Sequence, residues 1–586
     1  MNSRFGSPRF CKAATALCAS VYMFAGAAFA ATWTGANGTD IDDPGNWNGD
    51  VTTSAMQFQG NANLTLGQDY AVYQVFGTSG DNRSVTIDLS GHALQTTSTA
   101  SYNRDFWRAS NATICITNSS DTAATFTQKS DIQFDSPTYH DATLVVSGRK
   151  TTMNGTFFSR GGPRFNFRVL DGATLSGATM VIGSNFTTNT VANGATLSAT
   201  TCLNIGAGSD LKPNNSYCGA WHGNLLTISG AAASGGTLLV GYGQPSATSG
   251  APYDNHVLVE EGSTASFTDF YVGCGAAATN NSLRAAGAGS SLSATNMKVG
   301  TRAGAGSGTL HATLPGTNNV VIVENGATAS VKNTYVGAGG NALVIRSGAT
   351  FEGTAAGTVQ LMSDMTDAMI ATAGAPVGSR IEIVGGTLHY LNQLFFGESG
   401  KTTHAYGHEV FVGPGGTLSE KPIYFFGAGD RLVVSNGTVN VSGLNMGQNG
   451  AHDNSLRIMG EDARVNTAAA SLVNGVTFEY AIPETPWTTA PFHVSGSFTI
   501  PADFSLKLDA NSVESFRKRL RDRGVGKATV PLMSASNNVG YPKTITIEDE
   551  TALDANMPEG CSLSYADGVL SLTVKCAPRA TIFTVH

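Results

Sequence analysis

The sequence predicts an all-β protein, a parallel β-helix or solenoid of about 22-residue coils with an N-terminal cap and a small C-terminal α+β capping domain. Three observations lead there. A short turn phrase recurs along the chain, as in VLDGATLSGATMVIG, NTVANGATLSATTCLNIG and VENGATASVKNTYVG. Around each turn, apolar residues alternate with period two, which marks a strand with one buried face. The composition is poor in charge, at 13%, and rich in glycine, with 70 residues, so tight turns and strands are favoured over long helices. Hydrophobic residues at 41% suffice for a core, and a net charge of -8 leaves no basic footprint for nucleic acid.

In chain order, residues 1–30 read as a signal peptide. Arg4, Arg9 and Lys12 form a positive start, Ala13 to Phe24 an apolar run, and Ala28-Phe29-Ala30 a cleavage site. The mature chain is expected to begin at Ala31, to be exported to the extracellular space or outer cell surface, and to carry no transmembrane helix. Residues 31–84 are the expected N-terminal cap, with Trp33 and Trp47 to plug the first coil. A cap is required because a solenoid end is an open sheet edge.

Residues 85–475 carry the repeat. A turn glycine is followed 10 to 12 residues later by a second glycine that comes after an apolar residue. The pairs are Gly172/Gly183, Gly194/Gly206, Gly230/Gly241, Gly262/Gly273, Gly289/Gly300, Gly326/Gly337, Gly386/Gly397, Gly416/Gly427 and Gly437/Gly447. A full cycle is 21 or 22 residues where nothing is inserted. Such a unit cannot bury its own apolar face, so coils must stack and share one interior, about 4.8 Å apart. An antiparallel sandwich also needs many short strands, but the regular half-cycle favours the solenoid.

Residues 476–586 lack the repeat. Their one good helix lies around NSVESFRKRLRDRG, with Asn511 or Ser512 as its cap, Val513, Phe516 and Leu520 on one face, and Gly524 as its stop. Cys561 and Cys576 flank a hairpin turning at Asp567-Gly568, so a disulfide between them is one expectation. Cys202 and Cys218, which bracket an irregular insertion, are a second candidate pair. The alternative is that all remaining cysteines are small buried residues. No C-x-x-C pair suggests zinc or thiol redox chemistry.

The TWTG…DPGNW opening, the GATLS/VG repeat and the closing LSYADGVLSLTV resemble exported bacterial proteins with autotransporter-associated β-strand repeats. The resemblance implies a passenger-like β-helix acting as an adhesive or structural rod at the cell surface. It departs from an autotransporter in lacking the alternating strands of a C-terminal membrane barrel.

Several segments imitate chemistry. GESGKTTH (397–404) suggests a phosphate loop, but Phe395 stands where its first glycine belongs. His404, His408 and Glu409 would cluster for a metal only on a helix, whereas a strand is expected. Asp40, Asp42, Asp43 and Asp50 miss the calcium-loop spacing and read as turn residues. Arg517, Lys518, Arg519, Arg521 and Arg523 read as a solvated helix face. No metal site, cofactor or catalytic set is expected.

One feature points to binding. Insertions recur at one place in the cycle, after the second glycine: between Gly206 and Gly230, Gly241 and Gly262, Gly273 and Gly289, and Gly300 and Gly326. Stacking would set them side by side on one flank. They supply Tyr217, Trp221, His222, Tyr242, Tyr253, Asp254, His256, Arg284 and Arg302, a set suited to an extracellular polysaccharide or a surface protein. The expected function is a structural or adhesive exported rod. The alternative is a secreted polysaccharide lyase or glycoside hydrolase on the same scaffold, which needs carboxylates converging from adjacent coils.

Overall fold

Asp171 and Gly172 both adopt the left-handed conformation, with φ of 56° and 78°. The same pair of angles recurs at Asn193-Gly194, Glu261-Gly262, Asn325-Gly326 and Ser347-Gly348. Each pair folds the chain from a five- or six-residue strand into a strand of a second sheet, and the strands of that sheet stack in parallel. In the computed structural model these turns line up. Thr174, Thr196, Ala232, Thr264, Ser291, Thr328 and Thr350, each two residues past a turn glycine, are consecutive partners. The model describes residues 31–576 except 51–54, 78–82, 99–111, 130–131, 135–141, 156, 160–164, 183–185, 207–221, 243–251, 276–277, 302–315, 355–356, 363–377, 398–406, 474, 537–543 and 555–556. The expected signal peptide lies outside the described residues.

The result is a parallel β-solenoid. One flat sheet of 17 strands is built from short segments such as Leu225–Ser229, His256–Glu260 and Val320–Glu324. The second sheet is built from longer segments such as Thr196–Ile205 and Ser291–Val299, which bend midway. In some coils the bend splits the segment in two, as at Thr350–Gly353 and Thr358–Met362. Alternation puts every second side chain inside. Leu226, Val257, Leu283, Val321, Leu343, Ile381, Val410, Leu432 and Leu456 form one such inner column, all at most 1% exposed. Branched aliphatic residues stacked about 4.8 Å apart close the core against water.

The glycine register departs from the sequence count in four places. The residues aligned with the turn column are Gly385, Gly415 and Asn436, one position before Gly386, Gly416 and Gly437. At the far corner, Phe425 is the buried partner of Phe396, and Phe426 faces out, so Gly427 is one residue past its column. Met362 stands in that column where the coil has no second glycine. Strand pairing, not glycine, fixes the register.

Parallel pairing begins with Ala31–Trp33 against Met56–Phe58 and Ala62–Thr65 against Val85–Asp88, and it continues past 475 through Thr477–Ala481 and Ser505–Leu508. Trp33 and Trp47 meet edge to face at 4.9 Å and close the first coil. The far end is covered by the helix Ala510–Asp522 and by the hairpin Cys561–Ala566/Val569–Lys575. The helix buries Val513, Phe516 and Leu520 as expected, but its cap is Asp509, whose Oδ1 accepts from Ser512 N at 2.8 Å. The hairpin register places Cys561 opposite Val574, so Cys576 lies diagonally from it, and both are free thiols. Arg517 lies against the two, its Nη2 3.5 Å from Cys561 Sγ and its carbonyl oxygen 3.5 Å from Cys576 Sγ. Cys202 is a buried free thiol, raised to about 12 by burial, and Cys218 lies outside the described residues.

A buried polar row holds the corner where each coil enters the flat sheet. Thr187, Asn224, Asn255, Asn281, Asn319, Asn341, Ser379, His408, Asp430 and Asn454 occupy ten successive rungs, each at most 1% exposed. From Asn224 to Asn341, each asparagine passes a hydrogen bond to the next. Asn224 Nδ2 donates to Asn255 Oδ1 at 2.7 Å, Asn281 Nδ2 to Asn319 Oδ1 at 2.9 Å, and Asn319 Nδ2 to Asn341 Oδ1 at 3.0 Å. The same oxygens also accept main-chain N–H groups, as from Asn281 N and Asn319 N. Buried backbone donors must be satisfied, and here the side chain of the following coil does it. The row explains the second glycine of the repeat. A Cβ on Gly206, Gly241, Gly273 or Gly300 would lie about 2 Å from the amide of Asn255, Asn281, Asn319 or Asn341.

Candidate functional site

The insertions leave and return at this corner. Their outgoing ends follow Ile205, Val240, Val272 and Val299, which are aligned partners. They return at Asn224, Asn255, Asn281 and Asn319, consecutive rungs of the polar row. The residue before each of these asparagines takes the left-handed form, as do Gly223, Asp254, Asn280 and Asn318. That reversal sends the residue one step earlier outward. His222, Tyr253, Thr279 and Thr317 are therefore stacked in one external column through single β-bridges.

The upper part of this column is aromatic. His222 and Tyr253 lie face to face, 4.4 Å apart and 8° from parallel. Phe186 meets His222 edge to face at 4.8 Å. Phe186 is 59% exposed and Tyr253 40% exposed. Phe186 also holds φ of 57°, a region that bulky side chains rarely enter, and its ring lies over Gly223, where a Cβ would come within 2.5 Å. Such strain persists only where the surroundings impose it. Below the rings, Thr317 Oγ1 donates to Thr279 Oγ1 at 3.2 Å.

Of the residues expected on this flank, the fold brings together His222, Tyr253 and Asp254. His256 is half-buried one strand position inward, its Nδ1 2.8 Å from Ser282 Oγ, and burial lowers its pKa against the opposing pull of Asp254. Tyr242 packs on a small apolar cluster of Cys202, Leu239, Tyr271 and Cys274 outside the main core. Arg284 lies on the flat sheet, not at the corner, and pairs with Glu324 of the next coil. Tyr217, Trp221 and Arg302 lie outside the described residues. Phe186 was missed. Its signal was an aromatic residue three positions before Asn189, in a coil with no long insertion.

No group of three metal-ligating side chains occurs among the described residues. His408, read from the sequence beside His404, is a fully buried rung of the polar row; His404 lies outside the described residues, and Glu409 pairs outward with Arg380 at 3.4 Å. The N-terminal aspartates act as turn caps, with Asp40 Oδ1 accepting from Asp42 N and Asp43 Oδ1 from Gly45 N. Ser379, His408 and Asp430 invite a nucleophilic reading that their geometry rejects. His408 Nδ1 faces Ser379 Oγ at 2.8 Å, but Asp430 Oδ1 accepts from the main-chain N of His408, not from the ring. All three are at most 1% exposed, so no substrate reaches them. Burial pushes Asp430 up to about 8 and His408 down to about 3, which leaves both rungs neutral at pH 7. No helix among the described residues is long and apolar enough to cross a membrane. No family model, curated protein or solved structure matches this chain.

Proposed function

We propose that the chain is an exported, non-catalytic β-solenoid that binds extracellular glycan at the corner column of Phe186, His222 and Tyr253. The observation that carries this reading is the aromatic stack of Phe186, His222 and Tyr253 at the corner, with Phe186 and Tyr253 exposed and Phe186 at positive φ. Aromatic rings next to hydroxyl groups suit the apolar faces and hydroxyl edges of sugars. The signal-peptide pattern and the resemblance to surface rods support export and an adhesive role. In a glycan array with the purified protein, Phe186→Ala and Tyr253→Ala, with Trp221→Ala beside them, are expected to weaken the strongest signal about tenfold each, near 1.4 kcal/mol. Unchanged binding in folded variants overturns the reading.

One observation favours the enzymatic alternative. Arg346, Glu382, Arg380 and Glu409 form a row of ion pairs at 3.4 to 3.5 Å on the flat sheet, a meeting of acids and arginines from adjacent coils. Release of reducing ends from a polysaccharide, abolished by Glu382→Gln or Glu409→Gln, would establish that alternative. Its absence across neutral and acidic polysaccharides leaves the binding role.

A further inference from the structure

The bent sheet carries a second ordered surface, separate from the corner. Alternation sends Tyr271, Lys298, Tyr335, Gln360, Phe395 and Tyr424 outward from successive rungs, in register with one another. Tyr271 is itself buried, so the exposed part of the row runs from Lys298 to Tyr424, four steps of about 4.8 Å, or about 19 Å. From Lys298 onward its members are half-buried, exposed along one side. Phe395 stacks on Tyr424 at 5.6 Å, and Phe426 lies 5.5 Å from both rings.

Two residues back on the same strands runs a parallel row of polar side chains, from Asp269 to Gln393, that ends at Pro422. Asn333 Nδ2 donates to Asn296 Oδ1 at 2.9 Å, and Asn296 Nδ2 donates to Asp269 Oδ1 at 2.7 Å. Thr358 and Gln393 continue it. Between Asp269 and Tyr424 the two rows hold one cation and one anion. Lys298 Nζ lies over the Tyr271 ring at 5.1 Å, and Asp269 accepts from Asn296. The two rows are together neutral, and Lys332 and Lys421 are exposed at the adjoining positions.

We propose that this face is a second binding track, for a neutral, extended polysaccharide laid along the solenoid axis, with Tyr335, Phe395, Tyr424 and Phe426 beneath its sugar rings and Asn296 and Asn333 beside its hydroxyls. The chemistry selects this occupant over others. An anionic polymer would need a basic stripe, and the rows carry a single lysine. A protein partner would bury a core of aromatic and apolar residues depleted in polar groups, whereas here Asn333 and Gln393 lie beside Tyr335 and Phe395, and Asn296 and Asp269 extend the polar row. A linear chain with apolar faces and hydroxyl edges matches rings at Tyr335, Phe395, Tyr424 and Phe426 with polar side chains in the row beside them. The track shares only its class of ligand with the corner site and stands on different residues. Together the two would make the rod bivalent, raising avidity without new contacts.

The test uses the purified full chain with insoluble cellulose, β-1,3-glucan and mannan as neutral probes and alginate as the anionic one. Hydroxyl-radical footprinting of the unmodified protein is expected to show protection of Tyr335, Tyr424 and Phe426 by at least one neutral probe. The double variant Tyr335→Ala/Tyr424→Ala is expected to lose about tenfold in affinity with its melting temperature checked alongside. Phe186→Ala, at the corner, should leave the track footprint intact. The track is overturned by no protection from any neutral probe, by binding confined to alginate, or by affinity within about twofold of the parent in a folded double variant. If corner variants alone abolish binding, the track fails and the corner reading survives. If footprints persist on the track while corner variants bind normally, the corner reading fails and the track survives.

Discussion

Truncating one rung of the polar row, Asn319→Ala, measures what holds the solenoid corner. Asn319 Oδ1 accepts from Asn281 N at 3.0 Å and from Asn281 Nδ2 at 2.9 Å. Its Nδ2 donates to Asn341 Oδ1 at 3.0 Å and to Ala278 O at 3.0 Å. In the variant the main-chain N–H of Asn281, which is fully buried, loses its acceptor. A buried orphan donor costs about 1–3 kcal/mol, and each of the two severed amide–amide bonds adds about 1 kcal/mol net. The expected destabilisation is therefore about 3–5 kcal/mol. Asn281 Nδ2 keeps a bond to Thr279 O at 3.1 Å, which holds the figure below the sum of every lost contact. Urea unfolding with an unchanged m-value reads the total. Native-state hydrogen exchange reads its location, because opening should concentrate in the strand Ser282–Ala286, which follows Asn281. A loss below about 1 kcal/mol, or exchange that rises evenly along the rod, would refute the idea that the row carries the corner.

Gly273→Ala and Gly194→Ala both force alanine into positive φ, at 59° and 75°. Gly194 has open space around its added Cβ, whereas that of Gly273 would meet the Asn319 amide at 1.9 Å. Gly194→Ala should cost about 1–2 kcal/mol, and Gly273→Ala clearly more in the same melt; equal costs would count against the contact. Asp430 titrates near 8 in the fold against 3.8 outside it, so its contribution is intact below pH 4 and is lost as pH rises to 8. His408, lowered from 6.5 to about 3, acts in the opposite sense and costs stability as pH falls from 6.5 to 3. The two trends oppose one another between about pH 4 and 6.5, so melting temperature should fall between pH 6.5 and 8, and Asp430→Asn should flatten that decline. Asp509→Ala removes the helix cap and should cost about 0.5–2 kcal/mol by thermal melt, with the solenoid core unchanged by circular dichroism.

The coil was legible because its signals are local. A left-handed pair such as Asn193-Gly194 and the alternation around it are written within a dozen residues, and Trp33 and Trp47 announced the capped end in the same way. The polar row was written too: Asn255, Asn319 and Asn341 each stand seven residues before a turn glycine, Gly262, Gly326 and Gly348. It was overlooked because asparagine near a turn already has a local explanation. The aromatic stack was half legible. Tyr253 and His222 were singled out as insertion residues, but Phe186 belongs to a coil of ordinary length, and only stacking puts it beside them.

The sequence alone determined that the chain coils, with what period, and which side chains face inward, since each of these follows from turn chemistry and from the alternation of side chains along a strand. Tertiary structure alone decided which residues became neighbours across coils. Residues one rung apart lie anywhere from 22 to 38 positions apart in sequence in the polar row, because insertions of unequal length separate them. Contacts such as Asn281–Asn319, the neutral burial of Asp430, and the two aromatic surfaces arise from that stacking, where the 4.8 Å rise of a parallel sheet sets distance and chain separation no longer does.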